Sequence, residues 1–146
     1  MTTPPGVPNL ATPGERLIAA LIDFGILIAV AIVVGILSAV LRQVHLGFVG
    51  AILGLANFAF GIAYFVYLWS QDNPWTGKGQ TIGKKMRGIK IVKVDGSDLT
   101  LTDAIIRYIG YMISSFVVGL GFIWILIDAN KQGWHDKIAK TYVVKV

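Results

Sequence analysis

The stretch "LIAALIDFGILIAVAIVVGILSAVL", Leu17–Leu41, holds 25 residues and one charge, Asp23. At about 1.5 Å per residue it forms a helix of roughly 37 Å, enough to cross a bilayer with some tilt. A secretory signal has a shorter apolar region behind a basic start. Here the preceding "MTTPPGVPNLATPG" has four prolines and no charged side chain. Leu17–Leu41 therefore reads as a retained helix. Residues 1–14 read as a flexible tail, and residues 15–146 as one membrane domain.

The rest of the chain agrees. Apolar residues make up 55% and charged residues 14%, against roughly 25% charged in a soluble protein. Leu46–Trp69 is a second apolar run whose strongly polar side chain is Asn57. Tyr64, Tyr67, Trp69 and Trp75 crowd its far end, as aromatics do at headgroup depth. Gly50 and Gly54 form a GxxxG, a spacing that permits close helix contact and is also common in membrane helices without one. A third run, Ile105–Ile127, contains Arg107 and is broken at Gly119 and Gly121. The expected fold class is an all-α membrane protein with 3–4 transmembrane or re-entrant helices and a small cytoplasmic β-hairpin or sheet. A net charge of +5 does not imply nucleic acid, because the basic residues lie between apolar runs. With no cysteine, disulfides and thiolate metal sites are excluded. No cofactor and no metal site are expected.

Residues 70–104 gather six Lys or Arg. Their start, Gly79 to Lys84, resembles a phosphate-binding loop, but only three residues separate Gly79 from Gly83, and Lys85 stands where the metal-binding hydroxyl belongs. "IKIVKV" before Asp95-Gly96 reads as a strand entering a hairpin turn, with Leu99 and Leu101 continuing it. Thr102-Asp103 reads as a helix start. The closing "TYVVKV" is strand-like and pairs with "IKIVKV" in this reading. Basic segments beside membrane spans stay in the cytoplasm. The 70–104 loop and the N-terminus are therefore expected inside, and the link containing Arg42 and His45 outside. Lys84, Lys85, Arg87 and Lys90 form a candidate surface for anionic lipid or a partner. The tail, with four lysines of its own, is expected on the same side. That requires an even number of crossings, with residues 103–128 folded as a helix, a bend near Ser115, and a second helix.

Charges inside apolar runs are costly and find partners. Arg16, Asp23, Arg107 and Asp128 form the candidate cluster, acting either as an ion or proton site or as a structural lock. Arg16 and Asp23 share a helix face but stand about 10.5 Å apart along the axis, so Arg107 is the expected partner of Asp23. His135-Asp136 reads as part of a tail helix anchored by Trp134, since adjacent helical residues do not face each other.

These residues resemble the RDD family of small bacterial membrane proteins, named for one arginine and two aspartates. Arg16 and Asp23 match the first two. "GQTIGKKMRGIKIVKVDG" is similar to the family's G-Q-T-x-G-K segment and the strand after it, and "IDANKQGWHDKIAKTYVV" to its closing run. The likeness covers residues 16–146. Asp128 and Asp136 both fit the second aspartate, with Asp128 preferred for its place at the helix end. The chain departs from the pattern at Trp134, where leucine is usual, and at Lys140, where glycine is frequent. The resemblance implies a multi-pass protein of the bacterial plasma (inner) membrane, of a family for which cation/proton antiport has been suggested in some members. Two functions follow: a subunit of an oligomeric cation/proton transporter, or a non-transporting accessory or assembly partner of a larger membrane complex. Membrane lipids and either further copies of the chain or that complex are the expected partners. No catalytic constellation is present, so an enzyme is not expected.

Overall fold

The computed structural model describes residues 9–117 and 119–146. Two long helices dominate it. The first, α1 (Pro13–Gln43), is started by Thr12, whose side chain accepts the Glu15 N–H while the Glu15 carboxylate reaches back to the Thr12 N–H. Such a capping box satisfies two orphan donors, and proline suits the first helical position. A short link, with His45 at φ +60°, leads into α2 (Gly47–Ser70). Both helices are long and apolar enough to cross a membrane. Leu21, Ile28 and Ile36 of α1 are about 60% exposed, as side chains facing lipid are.

The remaining elements are short and gather at the end where α1 begins and α2 finishes. They are α3 (Ile82–Met86), β1 (Ile89–Lys93), α4 (Leu101–Phe116), α5 (Leu120–Ile123) with a 3-10 turn at Trp124–Leu126, α6 (Trp134–Ala139) and β2 (Thr141–Lys145). The expected pairing of the two strand-like runs is present: β1 and β2 are antiparallel, with Ile89 opposite Lys145 and Ile91 opposite Val143. Ile89 and Ile91 are fully buried, so one face of this sheet closes the core. Phe65 and Trp69 of α2 and Tyr111 of α4 carry an aromatic chain through that core, with ring centroids 5.1–5.6 Å apart.

Three sequence expectations are corrected. Residues 1–8 of the expected tail lie outside the described residues, but residues 9–14 are held in place. Leu10 bridges to Val144, the Ala11 N–H donates to the Val143 carbonyl, and Ala11 is fully buried. The chain does turn at Asp95-Gly96, with Gly96 at φ +86°, yet no hairpin follows. Thr100 and Asp103 form a capping box that starts α4 at Leu101, leaving no length for a returning strand, and Leu99 is buried instead. The helix start also falls before Thr102-Asp103, because Thr100 rather than Thr102 is the cap.

The third apolar run is broken as expected. The axis of α4 and that of the Leu120–Leu126 segment, α5 with its 3-10 turn, differ by 108°. At 16 residues, α4 is about 24 Å long, short of a roughly 30 Å hydrocarbon layer. The chain thus has two helices of spanning length, and a third crossing if the bent pair counts as one span.

Candidate functional site

Where the short elements meet the two long helices, the chain buries its charges. Gly110 lets α6 lie directly on α4: a Cβ there would come within 2.7 Å of the His135 Cα. That close approach delivers Asp136, which is fully buried. Its two carboxylate oxygens are divided between two guanidiniums. Oδ2 accepts from Arg16 Nη2 of α1 at 2.6 Å and from the Gly133 N–H at 2.8 Å. Oδ1 accepts from Arg107 Nη1 of α4. Arg107 Nη1 also donates to Thr141 Oγ1 at the start of β2, and Arg16 Nη1 to the Lys131 carbonyl. One carboxylate therefore ties α1, α4 and α6 together. Through its partners it also reaches β2 and the loop before α6.

The buried Arg107 is not fully hydrogen-bonded. Its Nε and Nη2 have no acceptor among the described residues. The guanidinium instead lies over the Trp69 ring, 5.2 Å from the centroid, with Tyr111 at 5.8 Å. A ring face attracts a desolvated cation, which compensates part of the missing hydrogen bonding. His135 stacks edge-on against Tyr111 at 4.6 Å, with Nε2 3.4 Å from Asp136 Oδ2.

Burial opposes the charge on Asp136, but the two guanidiniums outweigh it and hold the carboxyl far below its ordinary range. Burial pushes His135 well below its usual value. The Asp136 charge opposes that push, while Arg107, Arg16 and Lys84 reinforce it. The centre thus holds an ionised acid beside a neutral imidazole.

Asp23 forms a separate site one step deeper along α1. Its Oδ1 accepts from Tyr64 Oη of α2 at 2.7 Å and from the Gly83 N–H of α3 at 2.8 Å. Its Oδ2 accepts from Thr81 Oγ1 at 2.6 Å. The glycine-rich loop therefore does present a backbone amide to an anion, but the anion is the protein's own Asp23. Gly83 is required by close approach, since a Cβ there would run into the Ala19 carbonyl and come within 2.9 Å of Asp23 Oδ1.

This arrangement changes the reading of the candidate residues. Arg16 and Arg107 are brought together, as partners of Asp136 rather than of Asp23. Asp23 faces α2 and α3, whereas Arg107 faces α6, so the expected Asp23–Arg107 pair does not form. Asp128 is also outside the centre. It sits past the 3-10 turn and pairs with Lys137 Nζ at 2.6 Å. Burial opposes its charge too, but Lys137 and the Gln132 and Asn130 amides keep the carboxyl below its ordinary value. The four basic candidates likewise part company: Lys84 is buried, Lys85 and Arg87 are exposed, and Lys90 pairs with Asp98 at 2.7 Å. GxxxG is divided as well. Gly50 packs on Ser38 of α1, while Gly54 has open space.

Tyr64, Thr81 and Gly83 are site residues that the sequence does not single out, Tyr64 because it reads as an interfacial aromatic. Of the two acids that fit the second aspartate, Asp136 rather than the preferred Asp128 joins the centre, and the signal for it is that two arginines beside apolar runs need an acid between them.

A cavity of about 490 Å³ opens beside this centre, lined by Arg16, Lys84 and His135 together with Leu17, Phe24 and Leu126.

Two apolar helices of spanning length, joined at one end to a polar cap by buried ion pairs, define an integral membrane protein. The chain belongs to the RDD family, whose model matches residues 10–140. It is similar to two uncharacterized proteins of Bacillus subtilis (strain 168). YxaI is 41% identical over 64 residues, covering 44% of this chain and 42% of that protein. YckC is 37% identical over 92 residues, covering 60% and 61%. The chain thus spans less than two thirds of either relative. No solved structure matches it.

Proposed function

We propose that this protein is a non-conducting accessory or assembly subunit of a larger membrane complex, in which the charge centre serves as architecture. The observation that carries this reading is that both oxygens of each buried acid are engaged by the protein's own donors. Asp136 has both oxygens on guanidiniums, and Asp23 has both on hydroxyl or amide donors. To take up a cation or proton, either acid would have to give up protein donors that are then left buried and unpaired, which is costly. Beyond Asp23, α1 carries no charged side chain until Arg42. Arg16 and Lys84 line the cavity and no acid does among the described residues, a poor setting for a cation. The protein stands in the bacterial inner membrane with its N-terminus and the 70–104 loop in the cytoplasm, as the placement of basic residues favours. The exposed Lys85 and Arg87 are the docking surface, and no catalysis is involved.

The test is flux in vesicles reconstituted with the purified chain. Under imposed sodium, potassium and proton gradients, the account expects vesicles no leakier than protein-free controls. Cation-coupled proton movement that disappears in Asp23→Asn would establish the transporter reading in its place.

A further inference from the structure

We propose that the cavity beside Arg16 is a binding site for one anionic phospholipid, held by its phosphate at Arg16 and Lys84 and by an acyl chain along α1. The site is independent of the partner complex proposed above.

Its lining combines cations with a largely apolar surface. Arg16 and Lys84 supply the positive charge, and no acidic residue lines the cavity among the described residues. Lys84 is only 5% exposed, and it forms no ion pair among the described residues. A cation this buried without a carboxylate is costly, and an anionic ligand would relieve that cost. His135 shares the lining, and its buried Nδ1 has no hydrogen-bond partner among the described residues. The two buried acids nearby are engaged elsewhere, Asp136 by Arg16 and Arg107 and Asp23 by Tyr64, Thr81 and the Gly83 N–H, and against Arg16, Arg107 and Lys84 they leave positive charge in excess.

The rest of the lining is mostly apolar. Leu17, Phe24 and Leu126 are 60%, 48% and 61% exposed, although they belong to a membrane-embedded surface, so lipid is what they meet. From Arg16 to Phe24 is eight residues, or about 12 Å along α1. A ligand gripped at Arg16 and lying along that helix must be long and apolar behind a charged head. A lipid entering sideways from the bilayer has that shape, and the volume lies in the usual range of roughly 300–1,000 Å³ for small-molecule sites. Arg16 also lies near the start of α1, the depth at which headgroups sit.

The experiment uses the full chain in mild detergent and native mass spectrometry. The probes are phosphatidylglycerol and phosphatidylcholine with identical acyl chains. One phosphatidylglycerol per chain is expected to be retained, with phosphatidylcholine bound at least about tenfold more weakly. Inorganic phosphate at millimolar concentration should not displace the lipid, because it lacks the chain. Lys84→Gln should weaken retention about tenfold, whereas Lys85→Gln, which removes the same charge next door, should not. Leu126→Trp, which fills the apolar part of the cavity and leaves the charges untouched, should also reduce retention while thermal unfolding stays unchanged. Equal binding of the two lipids would overturn the proposal, as would equal effects of the two lysine variants. So would displacement by phosphate alone or undiminished retention by Leu126→Trp. If Lys84→Gln fails to fold, the lipid comparison and Leu126→Trp decide the matter.

Discussion

Arg107 of α4 and Asp136 of α6 form an ion pair in which both side chains are completely buried. They are 29 residues apart, and the same carboxylate also holds Arg16 from α1. Each helix thus brings a charge that is unfavourable alone. Burying such a pair adds little net stability, but removing one member strands the others. The centre therefore fixes how the cap sits on the long helices more than it adds to their affinity for each other.

Membrane sidedness follows from the sheet. Ile89 of β1 lies opposite Lys145 of β2, so the 70–104 loop and the C-terminus occupy one side, and their basic residues favour the cytoplasm. Single cysteines at Gln71 and Lys145, in this cysteine-free chain, should both resist a membrane-impermeant thiol reagent applied to intact cells and both react after lysis. Labelling of position 145 but not 71 from outside would contradict the pairing.

Asp23 should tolerate the loss of its charge better than the loss of its shape. Asparagine keeps an oxygen for Tyr64 and Gly83 and can donate to the Thr81 hydroxyl. Asp23→Asn is expected to cost about 1–2 kcal/mol, and Asp23→Ala about 3 kcal/mol or more, because it leaves buried donors unpaired. Gly83→Ala should resemble the alanine variant, since it pushes α3 away from α1. Unfolding in mixed detergent micelles measures all three. Equal losses for Asp23→Asn and Asp23→Ala would show that the charge itself matters.

Acid should destabilise the protein in two stages. His135 binds a proton less readily folded than unfolded, because burial and the nearby Arg16, Arg107 and Lys84 outweigh the pull of Asp136. Below the ordinary 6.5 the unfolded chain takes up the extra proton, so stability falls with pH by up to about 1.4 kcal/mol per unit. Asp136 is depressed, so its contribution persists above its ordinary 3.8 and is lost only as the pH drops below that. Melting temperature measured from pH 8 to about pH 2 should decline from about pH 6.5 and again below the ordinary carboxyl range. His135→Gln should flatten that first decline and leave the second.

Lys140 ends α6 at φ +53°, ψ +56°, a left-handed conformation that side chains other than glycine adopt at a cost. Lys140→Gly is expected to raise stability by about 0.5–1 kcal/mol, read as a higher melting temperature. A decrease would mean that the exposed lysine makes a contact worth more than its strain.

Much of this architecture is legible in the residues. Long apolar runs announce α1 and α2. The breaks at Gly119 and Gly121 announce the bend after α4, and two β-branched runs announce the sheet. What pairs with what is not legible in the same way. Asp23 and Arg107 look like partners because each is a lone charge in an apolar run, and one-dimensional order says nothing about which way α4 faces. That direction is set by Gly110, which draws α6 and Asp136 onto α4. Asp23 is satisfied by neutral donors from Tyr64, Thr81 and a backbone amide, and neutral donors leave no mark in a search for opposite charges. Asp128 looked suitable for its place at a helix end, but that end points to Lys137.

The most direct test of the account is a double-mutant cycle on Arg107 and Asp136, using Arg107→Gln, Asp136→Asn and the pair in mixed detergent micelles. Each single change should cost about 3–5 kcal/mol. The double should cost less than their sum by about 1–3 kcal/mol, because the second change removes a charge that the first had stranded. The parallel cycle on Asp23 and Arg107, which share no partner, should be additive within about 0.5 kcal/mol. Additivity between Arg107 and Asp136 together with coupling between Asp23 and Arg107 would contradict the buried centre described above.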